Sequence, residues 1–165
     1  MVSNYFLQDV LGGFDNFRGV YAADTIDTSI LRKEYSGSLE FFIVNTEPIS
    51  SQRMGHWIAF SRYKEEGEVV LELFDSLGYP VSSLHSNIKQ IVKSASYETF
   101  ATNQRILQSL SSIFCGLYCI ARFISLLHEE SLKDFLKTFS CDRESNDARV
   151  CTYIRDQCIK LSDDN

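Results

Sequence analysis

Apolar and polar positions alternate in the middle of the chain and then turn helical. Leu39 to Asn45 (LEFFIVN), His56 to Tyr63 (HWIAFSRY) and Glu68 to Asp75 (EVVLELFD) are rich in β-formers and predict three strands. Lys64-Glu65-Glu66-Gly67 joins the last two as a charged, glycine-containing hairpin connection. Leu84, Ile88, Ile91 and Val92 recur at helical spacing, which predicts a helix over Val81 to Ala95. Short strands are expected around Tyr97 to Ala101 and at Arg105 to Leu107. CGLYCIARFISLLH, Cys115 to His128, is apolar nearly all round and predicts a helix buried in the centre of a domain, with Ser111 or Ser112 as its cap. Further helices are expected over Ser131 to Phe139 and Asn146 to Leu161. Pro48 and Pro80 each follow an apolar run and mark turns. A strand-rich middle followed by helices is an α+β pattern.

The length, 165 residues, predicts a single domain over 1–165. A chain of this size buries roughly 70% of its unfolded surface, so its core needs neither metal nor disulfide. The apolar fraction of 44% excludes a disordered chain. The net charge of -6 gives no general electrostatic reason to bind nucleic acid. The first residues, Met1 to Leu7, lack the basic start of a signal peptide, and Ile106 to Ala121 is too polar and short for a membrane span. Five cysteines, an odd number, all lie in the last third of the chain, which fits a reducing compartment. Cys115 and Cys119 are four apart, Cys151 and Cys158 seven apart, and no CxxC pair exists, so the spacing argues against zinc. Cys119 reads as a core residue one turn below Cys115; Cys141, Cys151 and Cys158 read as free thiols on helix faces. The charged runs Asp142-Arg143-Glu144 and Asp163-Asp164 read as solvated surface.

Cys115 is the candidate nucleophile. It falls in the first turn of the apolar helix, where partial positive charge and free N–H groups lower a thiol pKa. Gly116 follows, with no side chain to crowd the sulfur or an approaching substrate backbone. A buried core cysteine is the competing reading. His56 is the candidate base: at a strand start its imidazole can take the thiol proton and return it to a leaving amine. Strand alternation puts His56 on one face with Ile58 and Phe60. His85, on a predicted helix, and His128, at a helix C-terminus, both have structural explanations. Asp75 ends an apolar strand before the turn Ser76-Leu77-Gly78 and would orient the imidazole. Glu72, on the other face, is the weaker candidate. Gln108 would add a side-chain amide to the Cys115 backbone N–H as oxyanion donors.

Gly55-His56-Trp57, then Phe74-Asp75-Ser76-Leu77-Gly78, then Gln108 with six residues before Cys115-Gly116-Leu117-Tyr118-Cys119, resembles the adenovirus protease (adenain) family of cysteine endopeptidases. It also resembles the proteases of Polinton/Maverick elements and related double-stranded DNA viruses, and more distantly the Ulp-type SUMO proteases. The resemblance covers His56 to Cys119, a little over a third of the chain; Phe17 to Tyr21, Asp24 and Ile43-Val44-Asn45 add to it. It implies a papain-like α+β fold in permuted order, with the cysteine helix packed on a mixed sheet. It implies Cys115 as nucleophile, His56 as base, Asp75 as third member where adenain carries Glu, and Gln108 in the oxyanion hole. Gly55, Trp57 and Gly116 would flank the substrate; for Trp57, core packing is the competing role.

The same resemblance implies processing of viral or transposon structural precursors in virion maturation, in an intracellular setting (host nucleus or cytoplasm, open to packaging in virions) and without secretion. The chemistry needs no cofactor. Adenain is stimulated by a peptide disulfide-bonded to a cysteine upstream of its nucleophile, whereas no cysteine precedes Cys115 here. Adenain also uses DNA, and the charge of -6 argues against copying that, because phosphate contacts need clustered Lys and Arg. Two alternatives stay open: a Ulp-like isopeptidase acting on SUMO or ubiquitin conjugates, and a silent binding module of the same fold.

Overall fold

The computed structural model describes residues 2–31, 35–95 and 98–163, with side chains through residue 156. Five strands form one mixed sheet in the order β1 (Phe17–Tyr21), β2 (Glu40–Asn45), β3 (Trp57–Glu65), β4 (Glu68–Phe74) and β5 (Thr99–Thr102). The central pairs β2–β3 and β3–β4 are antiparallel; the outer pairs β1–β2 and β4–β5 are parallel. The β3–β4 hairpin turns through Glu66 and Gly67, both at positive φ, the conformation that matches the twist of the flanking strands.

Strand alternation divides the core between the two faces of the sheet. Phe41, Ile43, Trp57, Ala59 and Phe74 pack against helix α3 (Cys115–Leu127), while Phe42, Val44, Ile58, Phe60, Leu71 and Leu73 pack against α2 (Ser86–Ser94). All of these side chains are buried, each contributing roughly 1.5–3 kcal/mol for a fully covered aliphatic or aromatic group. Helix α3 is buried almost all round, as its composition predicts: the sheet covers one side, and Phe135, Phe139 and Val150 of the C-terminal region cover another. Helices α1 (Asn4–Leu11), α4 (Leu132–Lys137) and α5 (Arg143–Asp163) complete that layer.

Several boundaries differ from the sequence reading. Helix α2 begins at Ser86, after a 3₁₀ turn at Val81–Ser83. His85 lies outside the helix as its cap, its ring Nδ1 accepting from the Asn87 N–H at 3.3 Å. Strand β5 begins at Thr99; Tyr97 lies outside the described residues. Arg105 to Leu107 form no strand. The Arg105 guanidinium instead donates to the carbonyls of Leu136, Phe139 and Ser140 after α4, ordinary partners for a cation at a helix C-terminus. Neither Ser111 nor Ser112 caps α3: the N-cap is Phe114, with no side-chain bond, and Ser112 turns its Oγ to the Phe114 N–H and its carbonyl to Gln108. Helix α1 and strand β1 escape the periodicity argument. They are short, and α1 depends on Ser3, whose Oγ accepts from the Phe6 N–H.

Candidate active site

The end of β4, the segment leading into β3 and the start of α3 meet at one end of the central strands. His56 precedes β3 by one residue, so strand alternation does not govern it. Ile58 and Phe60 face α2, but His56 lines one cleft with Cys115, the first residue of α3. Its backbone is fixed by a two-way exchange with Thr46: the His56 N–H donates to Thr46 Oγ1 and the Thr46 N–H to the His56 carbonyl. His56 Nε2 lies 2.6 Å from Asp75 Oδ1, which leaves Nδ1 for the thiol.

Asp75 is fully buried and held from all sides. Its N–H donates to Asn103 Oδ1 at 2.8 Å, and its carbonyl accepts from Asn103 Nδ2 at 2.6 Å. Its carboxylate also accepts from the N–H groups of Leu77 and Tyr79, at 2.8 and 3.0 Å. A carboxylate so pinned has one direction in which to face the imidazole. The Tyr79 ring stands edge-on to His56, 6.1 Å between centroids.

Cys115 opens α3 and is 4% exposed. Burial alone raises its pKa, but the hydrogen bond with His56, backbone N–H groups of Trp57 and Gly116, and the imidazolium charge outweigh burial and lower it. Burial likewise disfavours the His56 imidazolium. Asp75 and the Cys115 thiolate outweigh that and raise its pKa to about 9. The shifts are complementary and describe a thiolate–imidazolium pair backed by a carboxylate. Cys119, one turn on, is wholly buried, and burial pushes its thiol well above the ordinary range. Two thiols of one helix thus shift in opposite directions, because His56 acts on Cys115 while burial dominates at Cys119.

Gln108 is buried and lines the same cleft of about 330 Å³ as His56 and Cys115. Its Nε2 donates to the Ser112 carbonyl at 2.9 Å and its Oε1 accepts from Ser76 Oγ at 2.8 Å. Primary amide nitrogen carries two hydrogens, so a second remains for a substrate oxygen. The Cys115 N–H stands at the first position of α3, too early in the helix for an intrahelical partner. Met54, Leu110 and Ile113 border the cleft and are exposed by 76%, 70% and 43%.

The flanking residues divide. Gly55 borders the cleft, and a Cβ there would collide with the Asn45 side chain. The Trp57 ring does not line the catalytic cleft. It is buried in the core, donates from Nε1 to the Val2 carbonyl at 2.9 Å and lines an adjoining groove of about 460 Å³ that shares Gly55. Gly116 lies beneath Val2: an added Cβ would come within 2.9 Å of the Val2 side chain, so its small size serves packing of the N-terminal segment. Cys141 sits in the loop before α5 rather than on a helix face, while Cys151 is exposed on α5. The Cys158 side chain lies outside the described residues.

Glu72 has a different task from the triad role weighed for it. It is buried against Arg122 of α3 in a bidentate pair, with both N–O distances 2.7 Å. Two signals mark this pair in the sequence: Arg122 is the one charge within an otherwise apolar helix, and Glu72 the one charge inside LELF. The clamp by Asn103 and the contact from Ser76 carry no such signal, because both residues read as ordinary loop polar groups.

Among the described residues no group of three or more His, Cys, Asp or Glu is placed to hold a metal ion, and no helix is long and apolar enough to cross a membrane. No protein-family model matches the chain, and no curated protein sequence matches it. Solved structures do. The ASFV pS273R protease aligns with a TM-score of 0.55 at 17% identity, over 91% of this chain and 66% of that one. AvrA delL154, in a structure with IP6 and CoA, aligns with a TM-score of 0.50 at 18% identity, over 91% of this chain and 53% of that one. The chain therefore spans just under two thirds of the first protein and about half of the second. A five-stranded mixed sheet with the Cys115 helix packed on one face is an α+β, papain-like fold, shared with the ASFV pS273R protease.

Proposed function

We propose that the chain is a cysteine endopeptidase. The observation that carries this reading is the Asp75–His56 hydrogen bond at a cleft that His56, Cys115 and Gln108 line together. The Cys115 thiolate attacks the scissile carbonyl carbon. The developing oxyanion accepts from the Cys115 N–H and the second Nε2–H of Gln108. The His56 imidazolium gives its Nδ1 proton to the departing amine, leaving a thioester on Cys115. Water then attacks the thioester, His56 takes its proton, and the acid product leaves as the thiolate reforms. No step calls for a cofactor.

The substrate class we favour is the structural precursors of a virus or transposon, as the adenain-like block around Cys115 suggests. An activating peptide or DNA is no part of the proposed chemistry. A Ulp-like isopeptidase is the second reading, favoured by the fold comparison; it would require a folded ubiquitin-like partner with a Gly-Gly tail.

The test is a peptide-library cleavage profile of the protein, with and without DNA, beside Cys115→Ala. Cleavage by the parent and none by a folded Cys115→Ala is expected; full activity in Cys115→Ala overturns the assignment. A pH series separates the two partners. Proteolysis rises as Cys115 deprotonates and falls as His56 loses its proton near pH 9. Iodoacetamide labelling of Cys115 needs the thiolate alone and does not fall there. Parallel decline of labelling and proteolysis above pH 9 would remove His56 as the proton donor.

A further inference from the structure

A glutamine amide has two ends of nearly equal shape, and only one can donate to an oxyanion. The surroundings must therefore select the nitrogen end for the cleft. In this chain the Ser112 carbonyl, which can only accept, selects the nitrogen end, and the neighbour of the triad acid holds the oxygen end. Ser76 is 1% exposed and follows Asp75 directly. Its hydroxyl donates to Gln108 Oε1 at 2.8 Å, and its carbonyl accepts from the N–H groups of Leu107 and Gln108 at 2.8 and 3.1 Å. On the other side of the amide, the Ser112 carbonyl can only accept, and it takes one Nε2 hydrogen.

We infer that Ser76 is a positioning residue for catalysis: its hydroxyl anchors Oε1 of the Gln108 amide in the orientation that the Ser112 carbonyl selects, so that Nε2 is presented to the cleft, and it ties the oxyanion donor to the same turn that holds the triad acid. The inference rests on the proteolytic reading for its kinetic consequence, but the amide orientation itself is open to direct measurement. Without the Ser76 hydroxyl, Oε1 loses a buried donor, and rotation of the amide would place its oxygen against the oxyanion.

The test has two arms, each run on the parent, Ser76→Ala and Ser76→Thr. In the first, the side-chain amide resonances of Gln108 are followed by NMR, assigned by their loss in Gln108→Ala. Two resolved, slowly exchanging hydrogens are expected in the parent and in Ser76→Thr. In Ser76→Ala their exchange should be faster and the pair displaced. An unchanged Gln108 pair in Ser76→Ala overturns the inference whether or not a substrate is known. In the second arm, Ser76→Ala should lower kcat on the order of 10-fold with little change in KM, less than the ~10²-fold expected for Gln108→Ala. Ser76→Thr restores the rate. In a Gln108→Ala background Ser76→Ala should cost nothing more, because its effect runs through that amide. Iodoacetamide labelling of Cys115, which makes no oxyanion, should match the parent in every Ser76 variant. Additive losses in the double variant, or slowed labelling, would assign Ser76 a merely structural role. A parent that cleaves no peptide overturns the proteolytic reading and leaves the NMR result to decide the inference.

Discussion

Two buried charge clusters lie three residues apart along β4 and its end, and they use similar parts. Glu72 and Asp75 are both wholly buried carboxylates. Glu72 accepts two bonds from the Arg122 guanidinium and one from Tyr63 Oη, each 2.7 Å long. Arg122 Nη1 donates to Ser125 Oγ and the Glu130 carbonyl. Burial and the Glu72 charge push the Tyr63 hydroxyl far above its ordinary range, and Glu72 raises Arg122 against the opposing effect of burial. That cluster is closed: its partners consume one another. The Asp75–His56–Cys115 cluster is the same arrangement of acid, cation and third ionisable group, but its last member lines a cleft. What separates structural from chemical polarity here is whether the series of bonds ends inside the protein or at its surface.

Substitutions at corresponding places should pull the clusters apart. Asp75→Asn should lower kcat/KM by up to about 10⁴-fold, the scale for amidating a triad acid, while the urea midpoint moves less than in any variant that breaks the Glu72 pair. An unchanged kcat/KM would remove Asp75 from the mechanism. Arg122→Met should do the reverse. It strands a buried carboxylate and should cost about 3–5 kcal/mol by urea denaturation, with the folded fraction keeping its kcat. Replacing both partners, as Glu72→Leu with Arg122→Met, should recover much of that loss. A folded Arg122→Met protein without activity would instead show the clusters to be coupled through β4. The mildest probe is Tyr63→Phe, which removes one of the donors to Glu72 and should cost about 1–2 kcal/mol in thermal or urea melts, without touching the pH profile.

The catalytic cluster was easier to read from the sequence than the structural one. His56, Asp75, Gln108 and Cys115 stand beside turn residues and small polar residues, where a chemically capable side chain has few packing reasons to be present. The central strands and the buried helix follow from period and composition alone. The Glu72–Arg122 pair instead needs knowledge of which helix faces which strand, a long-range fact that period-two alternation cannot supply. Strand parity misplaced His56, because the alternation it relies on starts at Trp57, one residue later. Cap chemistry misassigned the N-cap of α3, though not its first residue, for a related reason. Serines at 111 and 112 are good caps by propensity, yet Ser112 is committed to Gln108 and Phe114.

That uncapped start has an evolutionary consequence. A Ser, Thr or Asp at the N-cap of a helix is worth typically ~1 kcal/mol over an apolar residue, and α3 begins instead on Phe114. A capping side chain at 114 would reach for the Gly116 N–H, the donor that helps hold the Cys115 thiolate. On the proteolytic reading, position 114 is thus a place where selection for heat tolerance and selection for turnover pull on one residue in opposite directions. A lineage that drifted toward stability there would keep the fold and lose reactivity, with the triad still intact in its sequence.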